Sequence, residues 1–322
     1  MRDAMKGSGD MDKKKVIKFT ALALGMSWLI QIVVCLIARN VEGYAGTLAF
    51  QAGMMVVMFT PLIASIIAKT GVKSIGWKPR LKGNVKWIFF AIFMPVVFTA
   101  LGCAIFFVFW PDLFSLDGSY MLKAVEATGV DPAEYVQALE QQGLSMQTMM
   151  LITLLQCVTY APFVNMFLAV GEESGWRGFL YPELKKRFGR VTTWIIGGAI
   201  WAAFHFPAML LVGYEYGTDY IGAPVLGLVT FTITCIVWGM FHEIVYDKTK
   251  CIWIAALLHG SINAGSTLFQ LVLNAEHEEE IARLLVFGPA PHGLISVIPT
   301  LIIAVIMAVI VLKEDKKKAL AA

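Results

Sequence analysis

Eight stretches of this chain run for about 20 residues with almost no charge, the length at which a helix crosses a bilayer. They lie near residues 16–38, 46–68, 87–110, 150–173, 192–213, 224–245, 251–273 and 290–312. In hydrocarbon the backbone must satisfy its own N–H and C=O groups, so such stretches read as helices. The expected fold is all-α, a polytopic membrane bundle of about eight transmembrane helices. Composition agrees, because 58% of the 322 residues are hydrophobic, whereas a soluble domain is closer to half apolar.

Charge in the connecting segments alternates. The N-terminus carries Arg2, Lys6, Lys13, Lys14 and Lys15, and every second loop thereafter is basic: Lys69 to Lys86, Lys185 to Arg190, Lys248 with Lys250, and Lys316 to Lys318. The intervening segments are acidic or nearly uncharged, so the positive-inside rule puts both termini in the cytoplasm of a cell-membrane protein. A net charge of +3 spread over short loops argues topology and excludes a nucleic-acid surface. Cys35, Cys103, Cys157, Cys235 and Cys251 sit in or beside apolar runs without CxxC spacing. They read as packing residues, not as a disulfide framework or a thiolate metal site. The first run is too long for a signal-peptide core and reads as a retained anchor. One membrane domain is expected, with N-terminal spans over 16–110, an outer loop over 111–145 and a core over about 150–273. Within the loop, Asp131-Pro132-Ala133-Glu134 opens an amphipathic helix.

Polar groups inside such runs are costly and usually functional. Glu172 and Glu173 end the fourth run, His205 lies in the fifth, and His259 with Asn263 in the seventh. Chain direction brings them to a similar depth, in the half nearer the basic loops, around a cavity expected to open on that side. Glu173 and Arg177 stand four apart and form a helical ion pair, which leaves Glu172 free. His259 and Asn263 share a face, and Trp201 lies one turn before His205. Two hydrolytic schemes fit. Glu172 with His205 activates a water while His259 and Asn263 stabilise an oxyanion; alternatively Glu172, His205 and His259 ligate a zinc ion. Plainer readings stand beside these. Glu173–Arg177 can be an interfacial ion pair and Asn263 interhelical glue. His242-Glu243 fails the HExxH pattern at Tyr246 and reads as interfacial. His277 and His292 are expected outside, far from the site, and residues 276–280 form a solvated acidic face.

The string Glu172-Glu173-x-x-x-Arg177-Gly178-Phe179-Leu180 resembles the first motif of the CPBP (Abi) family of intramembrane proteases, which includes the Rce1-like type II CAAX prenyl endopeptidases. Trp201-x-x-x-His205 resembles its second motif, where Phe is more usual, and His259-x-x-x-Asn263 its third. The likeness covers about residues 165–265. It implies that Glu172 and His205 activate the water, that His259 and Asn263 hold the oxyanion, and that Glu173 and Arg177 support them. The family is commonly grouped with metalloproteases, although a metal-free glutamate mechanism has been argued, so zinc stays open. The implied substrate is a membrane-embedded or lipidated peptide, in peptide maturation or bacteriocin immunity. A proton-coupled transporter using the buried Glu and His as a relay is the alternative, and the lack of two related halves with paired broken helices counts against it.

Overall fold

The structure is a computed structural model that describes residues 10–41 and 43–321; Arg2 and Lys6 lie outside the described residues. Helix α1 (Lys13–Asn40) begins where Asp12 accepts a hydrogen bond from the Lys15 N–H at 3.0 Å. That bond holds the Asp12 carboxyl below its usual range. The chain returns through α2 (Tyr44–Val57) and α3 (Thr60–Ile67), and Lys18 near the start of α1 reaches the carbonyl of Ile67. Helix α4 (Val85–Phe109) then runs to the far end. The expected outer loop holds two short helices there, α5 (Ser119–Glu126) and α6 (Pro132–Gln141). Asp131 caps α6 through the Ala133 N–H at 2.7 Å, as the sequence implied, whereas α5 has no such marker.

Helices α7 (Met146–Gln156) and α8 (Ala161–Gly175) bring the chain back, and a π-helical turn (Trp176–Leu180) continues into α9 (Tyr181–Ala203). The basic segment between the expected fourth and fifth spans, where the sequence allows the fourth span to continue as a helix bent at Pro182, is the first arm of α9. The chain reverses inside α9 at Gly189, where φ is 73° and ψ 178°, a conformation closed to residues with a Cβ. Lys185 and Trp194, on either side, therefore donate to one carboxylate, Glu243, at 2.6 and 3.0 Å. On an unbroken helix their Cα atoms would stand about 13 Å apart.

The second arm of α9 ends at a break before α10 (Phe206–Val212), which starts with Pro207 in its first turn. The backbone groups freed there are satisfied from α1: Gln31 donates to the Phe204 carbonyl at 2.6 Å and accepts from the Ala208 N–H at 3.0 Å. Helices α11 (Val225–Thr249), α12 (Ile252–Gly265), α13 (Glu278–Leu284) and α14 (Ile298–Ala321) complete the fold. Among the described residues no strand forms, and Phe114 and Leu273 make an isolated bridge.

This is an all-α, multi-pass membrane bundle. Among the described residues, five helices are long and apolar enough to cross a bilayer, six when the bent pair 146–156 and 161–203 counts as one. The difference from about eight has two causes. The expected fourth and fifth spans fall together in that bent pair, although the reversal at Gly189 sends its two arms in opposite directions. The expected eighth begins only at Ile298 and carries Lys313, Glu314 and Asp315.

Both described ends of the chain lie at one end of the bundle. The Asp12 N–H meets Glu183 at 3.1 Å, and Arg190 meets Asp315 at 2.9 Å. Arg190 also bonds Glu243 and Asp247 at 2.8 and 2.7 Å, so charge pairs tie α9, α11 and α14 together at this basic end.

Helix α12 packs most closely on α8, and Gly260 permits it: a Cβ there would stand 2.5 Å from the Met166 backbone nitrogen. Gly260→Ala is expected to lower the unfolding midpoint in detergent, at a cost of about 1–3 kcal/mol from overpacking. Gly25→Ala, where nothing lies within 4 Å, is expected to be neutral or to stabilise by up to about 1 kcal/mol through helix propensity.

Candidate active site

Glu172 and Glu173 sit in the last turn of α8, about 100° apart around the axis, so they face different neighbours. Glu173 accepts from Arg177 Nη1 at 2.9 Å, and both side chains are 0% exposed. The pair is sealed inside the bundle, so the interfacial reading does not hold. The guanidinium lies 4.8 Å from the Tyr181 ring centroid and 4.4 Å from that of Trp201, a cation–π sandwich. Trp176 and Arg177 belong to the π-helical turn, whose extra residue per turn changes the register between α8 and α9.

Glu172 is held by two indoles. Trp176 Nε1 donates to its Oε2 at 3.1 Å and Trp201 Nε1 to the same oxygen at 2.7 Å, which leaves Oε1 for another partner. Trp201 also orients His205, whose Nδ1 lies 3.0 Å from the Trp201 carbonyl. A carbonyl can only accept, so Nδ1 carries the proton and Nε2 is the free lone pair of the neutral ring. One residue thus positions both groups that the first scheme makes water-activating. A Phe at 201 would supply only the backbone contact, which gives the unusual Trp of the second motif a physical reason.

His259 Nδ1 lies 2.8 Å from Glu173 Oε1, so Glu173 joins Arg177 to His259. His259, Asn263 and His205 line one cavity of about 430 Å³, together with Trp201. Among the described residues, the group of metal-type donors that converges is Glu173, His242 and His259, with ligand atoms within 4.8 Å of one another. The set Glu172, His205 and His259 does not converge in this way, because Glu172 is turned into the two indoles and His205 follows the break after α9.

His242 therefore needs correction. It is fully buried on α11, not interfacial, and its ring stands 5.6 Å from that of His259 and 5.4 Å from that of Trp201. The pattern Trp238-x-x-x-His242 repeats Trp201-x-x-x-His205, and His242 Nδ1 likewise meets the carbonyl one turn back, at 2.7 Å. That repeat was visible in the sequence.

The Glu173–His242–His259 donors fit a metal by type and spacing, and both Glu173 Oε2 and His242 Nε2 lack a protein hydrogen-bond partner. Charge does not fit. Arg177 already supplies the buried cation beside Glu173, and a divalent ion would add two further positive charges against one carboxylate.

His292 also needs correction, because it lines the same cavity as His205 and His259, while His277 stays on the outer surface with residues 276–280. The remaining wall includes Tyr214, Glu215, Asn263 and Gln270. Glu215, then burial, pushes the Tyr214 phenol well above its ordinary pKa. These segments join the helix ends opposite Lys185, Arg190 and Asp247. The cavity thus extends away from the basic end, where the sequence had expected its mouth.

Residues 151–265 match the family model described as "Type II CAAX prenyl endopeptidase Rce1-like". A relative named "CAAX prenyl protease 2", from Methanococcus maripaludis, is 26% identical over 110 residues. That alignment covers 34% of this chain and 40% of the relative, so the chain spans well under half of the relative's length. Both findings support the Rce1-like family over the segment in which the three motifs lie.

Removing one partner of the sealed pair should leave a buried charge uncompensated. Glu173→Gln is expected to destabilise the folded protein by about 3–5 kcal/mol. Glu173→Gln combined with Arg177→Met should recover much of that loss. Unfolding curves of the two single variants and the double variant in detergent measure the coupling.

Proposed function

On the premise that residues 151–265 belong with the Rce1-like endopeptidases, we propose that this protein is an intramembrane endopeptidase. It hydrolyses a peptide bond in a membrane-embedded or lipidated peptide. The observation that carries this reading is Trp201, which holds Glu172 through its indole and His205 through its carbonyl, and which lines one cavity with His205, His259 and Asn263.

Each group takes a role suited to its surroundings. A water placed between Glu172 Oε1 and the free Nε2 of His205 gives up a proton to Glu172 as its oxygen attacks the peptide carbonyl carbon. The electron pair of the C=O bond moves to oxygen. The Asn263 amide and the His259 ring donate hydrogen bonds to that oxyanion. Glu173 fixes His259 by holding its Nδ1, and Arg177 balances the charge of Glu173. As the tetrahedral intermediate collapses, the C–N bond breaks and the proton held by Glu172 passes to the leaving amine. The products are a carboxylic acid and an amine, which exchange a proton in water to become carboxylate and ammonium, and Glu172 is ionised again.

The basic end carries both described chain ends, so loop charge assigns both termini to the cytoplasm. The cavity then opens to the leaflet away from the cytoplasm. Peptide maturation or bacteriocin self-protection suits this placement better than processing of cytoplasmic prenylated proteins.

Glu172→Gln and His205→Ala are each expected to lower turnover of a cleaved membrane peptide by about 10²–10⁴-fold, with unfolding midpoints near wild type. Equal cleavage by wild type and both variants would overturn the reading. Chelation followed by metal analysis is expected to leave turnover intact in metal-free protein. Loss of activity that zinc restores would instead assign the site to a metal.

A further inference from the structure

The cavity has a second polar feature next to Tyr214, whose ring stacks on that of His205. Glu215 follows the end of α10 at Gly213 and has a left-handed backbone, with φ at 79°. Residues with a Cβ rarely adopt that conformation, and they do so mainly where surrounding contacts enforce it. Here His292 enforces it, since its Nε2 meets the Glu215 carbonyl at 3.0 Å. The His292 carbonyl is in turn held by Tyr216 at 2.7 Å and Thr234 at 3.1 Å. Glu215 is thus built into the wall through its main chain, independently of its carboxylate.

That carboxylate lies beside the Tyr214 phenol and the His292 ring, and neither is a permanent cation. Nε2 of His292 must carry the ring proton, because a carbonyl only accepts. Its other ring nitrogen, Nδ1, lies 3.4 Å from Glu215 Oε2. Among the described residues no Lys or Arg lines the cavity. A carboxylate that lines a confined space with no Lys or Arg beside it favours a ligand that brings a cation.

We propose that Glu215 is a cation-recognition subsite, and that the preferred substrate carries a Lys or Arg side chain close to the scissile bond. The proposal rests on the endopeptidase reading and specifies its substrate. A peptide bound with its carbonyl at His259 and Asn263 lays a neighbouring side chain along the cavity toward Glu215. There an ammonium or guanidinium replaces its lost hydration with a charge-assisted hydrogen bond.

The test uses full-length protein in proteoliposomes and fluorogenic peptides carrying a fatty-acyl anchor. Each pair of peptides differs by Lys against norleucine, which keeps the stem and removes the charge, at successive positions on both sides of the cleaved bond. Wild type is expected to prefer Lys at one position by at least about tenfold in kcat/KM, mainly through KM. In Glu215→Gln that ratio should fall to near one, and in Glu215→Lys a Glu-bearing peptide should be preferred. If a variant fails to fold, competition of Lys and norleucine peptides for the wild-type protein decides the matter. Equal use of Lys and norleucine by wild type at every position, or a preference retained in Glu215→Gln, overturns the subsite and leaves the endopeptidase standing. Absence of cleavage of every peptide removes both.

Discussion

A single buried cation organises the centre of this molecule. Arg177 lies between two aromatic rings with Glu173 as its counter-charge, and neither side chain reaches solvent. A guanidinium in that position is tolerable only while its partner and the surrounding rings stay in place. Those partners come from α8, from both arms of α9 and, through His259, from α12. Burying one charge therefore fixes how three passes of the chain stand relative to one another. The position of His259, proposed to contact the substrate, follows from this requirement.

Trp201 extends the same framework toward the proposed chemistry. Its ring covers Arg177, its N–H holds Glu172 and its carbonyl orients His205. A phenyl ring could perform the first task and the backbone of any residue the third, but the second needs an indole donor. The two adjacent glutamates thereby separate into different environments. Glu173 answers a positive charge, while Glu172 accepts two neutral donors on one oxygen and keeps the other available.

What the sequence revealed follows from the range of each signal. Hydropathy and loop charge are local, so the helical membrane class and the order of the passes were readable. The Glu173–Arg177 pair was also readable, because four residues on a helix make one turn. Reversal at Gly189 was harder to see: a glycine among Lys185, Lys186, Arg187 and Arg190 looked like any loop residue, and only its positive φ turns α9 back on itself. His242 was placed at the interface because it lies at the inner end of the apolar run 224–245, and nothing local says that α9 and α12 cover it. His292 was missed for a related reason, since the segment between α13 and α14 folds inward against Tyr216 and Thr234. The cavity's direction depends on these same inward folds, which no periodicity records.

The two ends of the bundle are built on different principles. At the basic end Arg190 joins Glu243, Asp247 and Asp315, and Lys185 reinforces the first two, so α9, α11 and α14 are clamped by charge. At the other end turns and short segments close the cavity between α9, α11 and α12, tied mainly by hydrogen bonds to main-chain carbonyls such as that of His292, with α5, α6 and α13 beyond them. Elements that open locally are drawn from regions with few buried contacts, whereas charge-clamped helix ends resist opening. A membrane peptide needs an opening that widens and a catalytic floor that does not. Placing Glu172, Glu173 and Arg177 on the rod that runs from the clamped end keeps the floor rigid, and leaves α5 and α6, which bury almost nothing, as the part able to move.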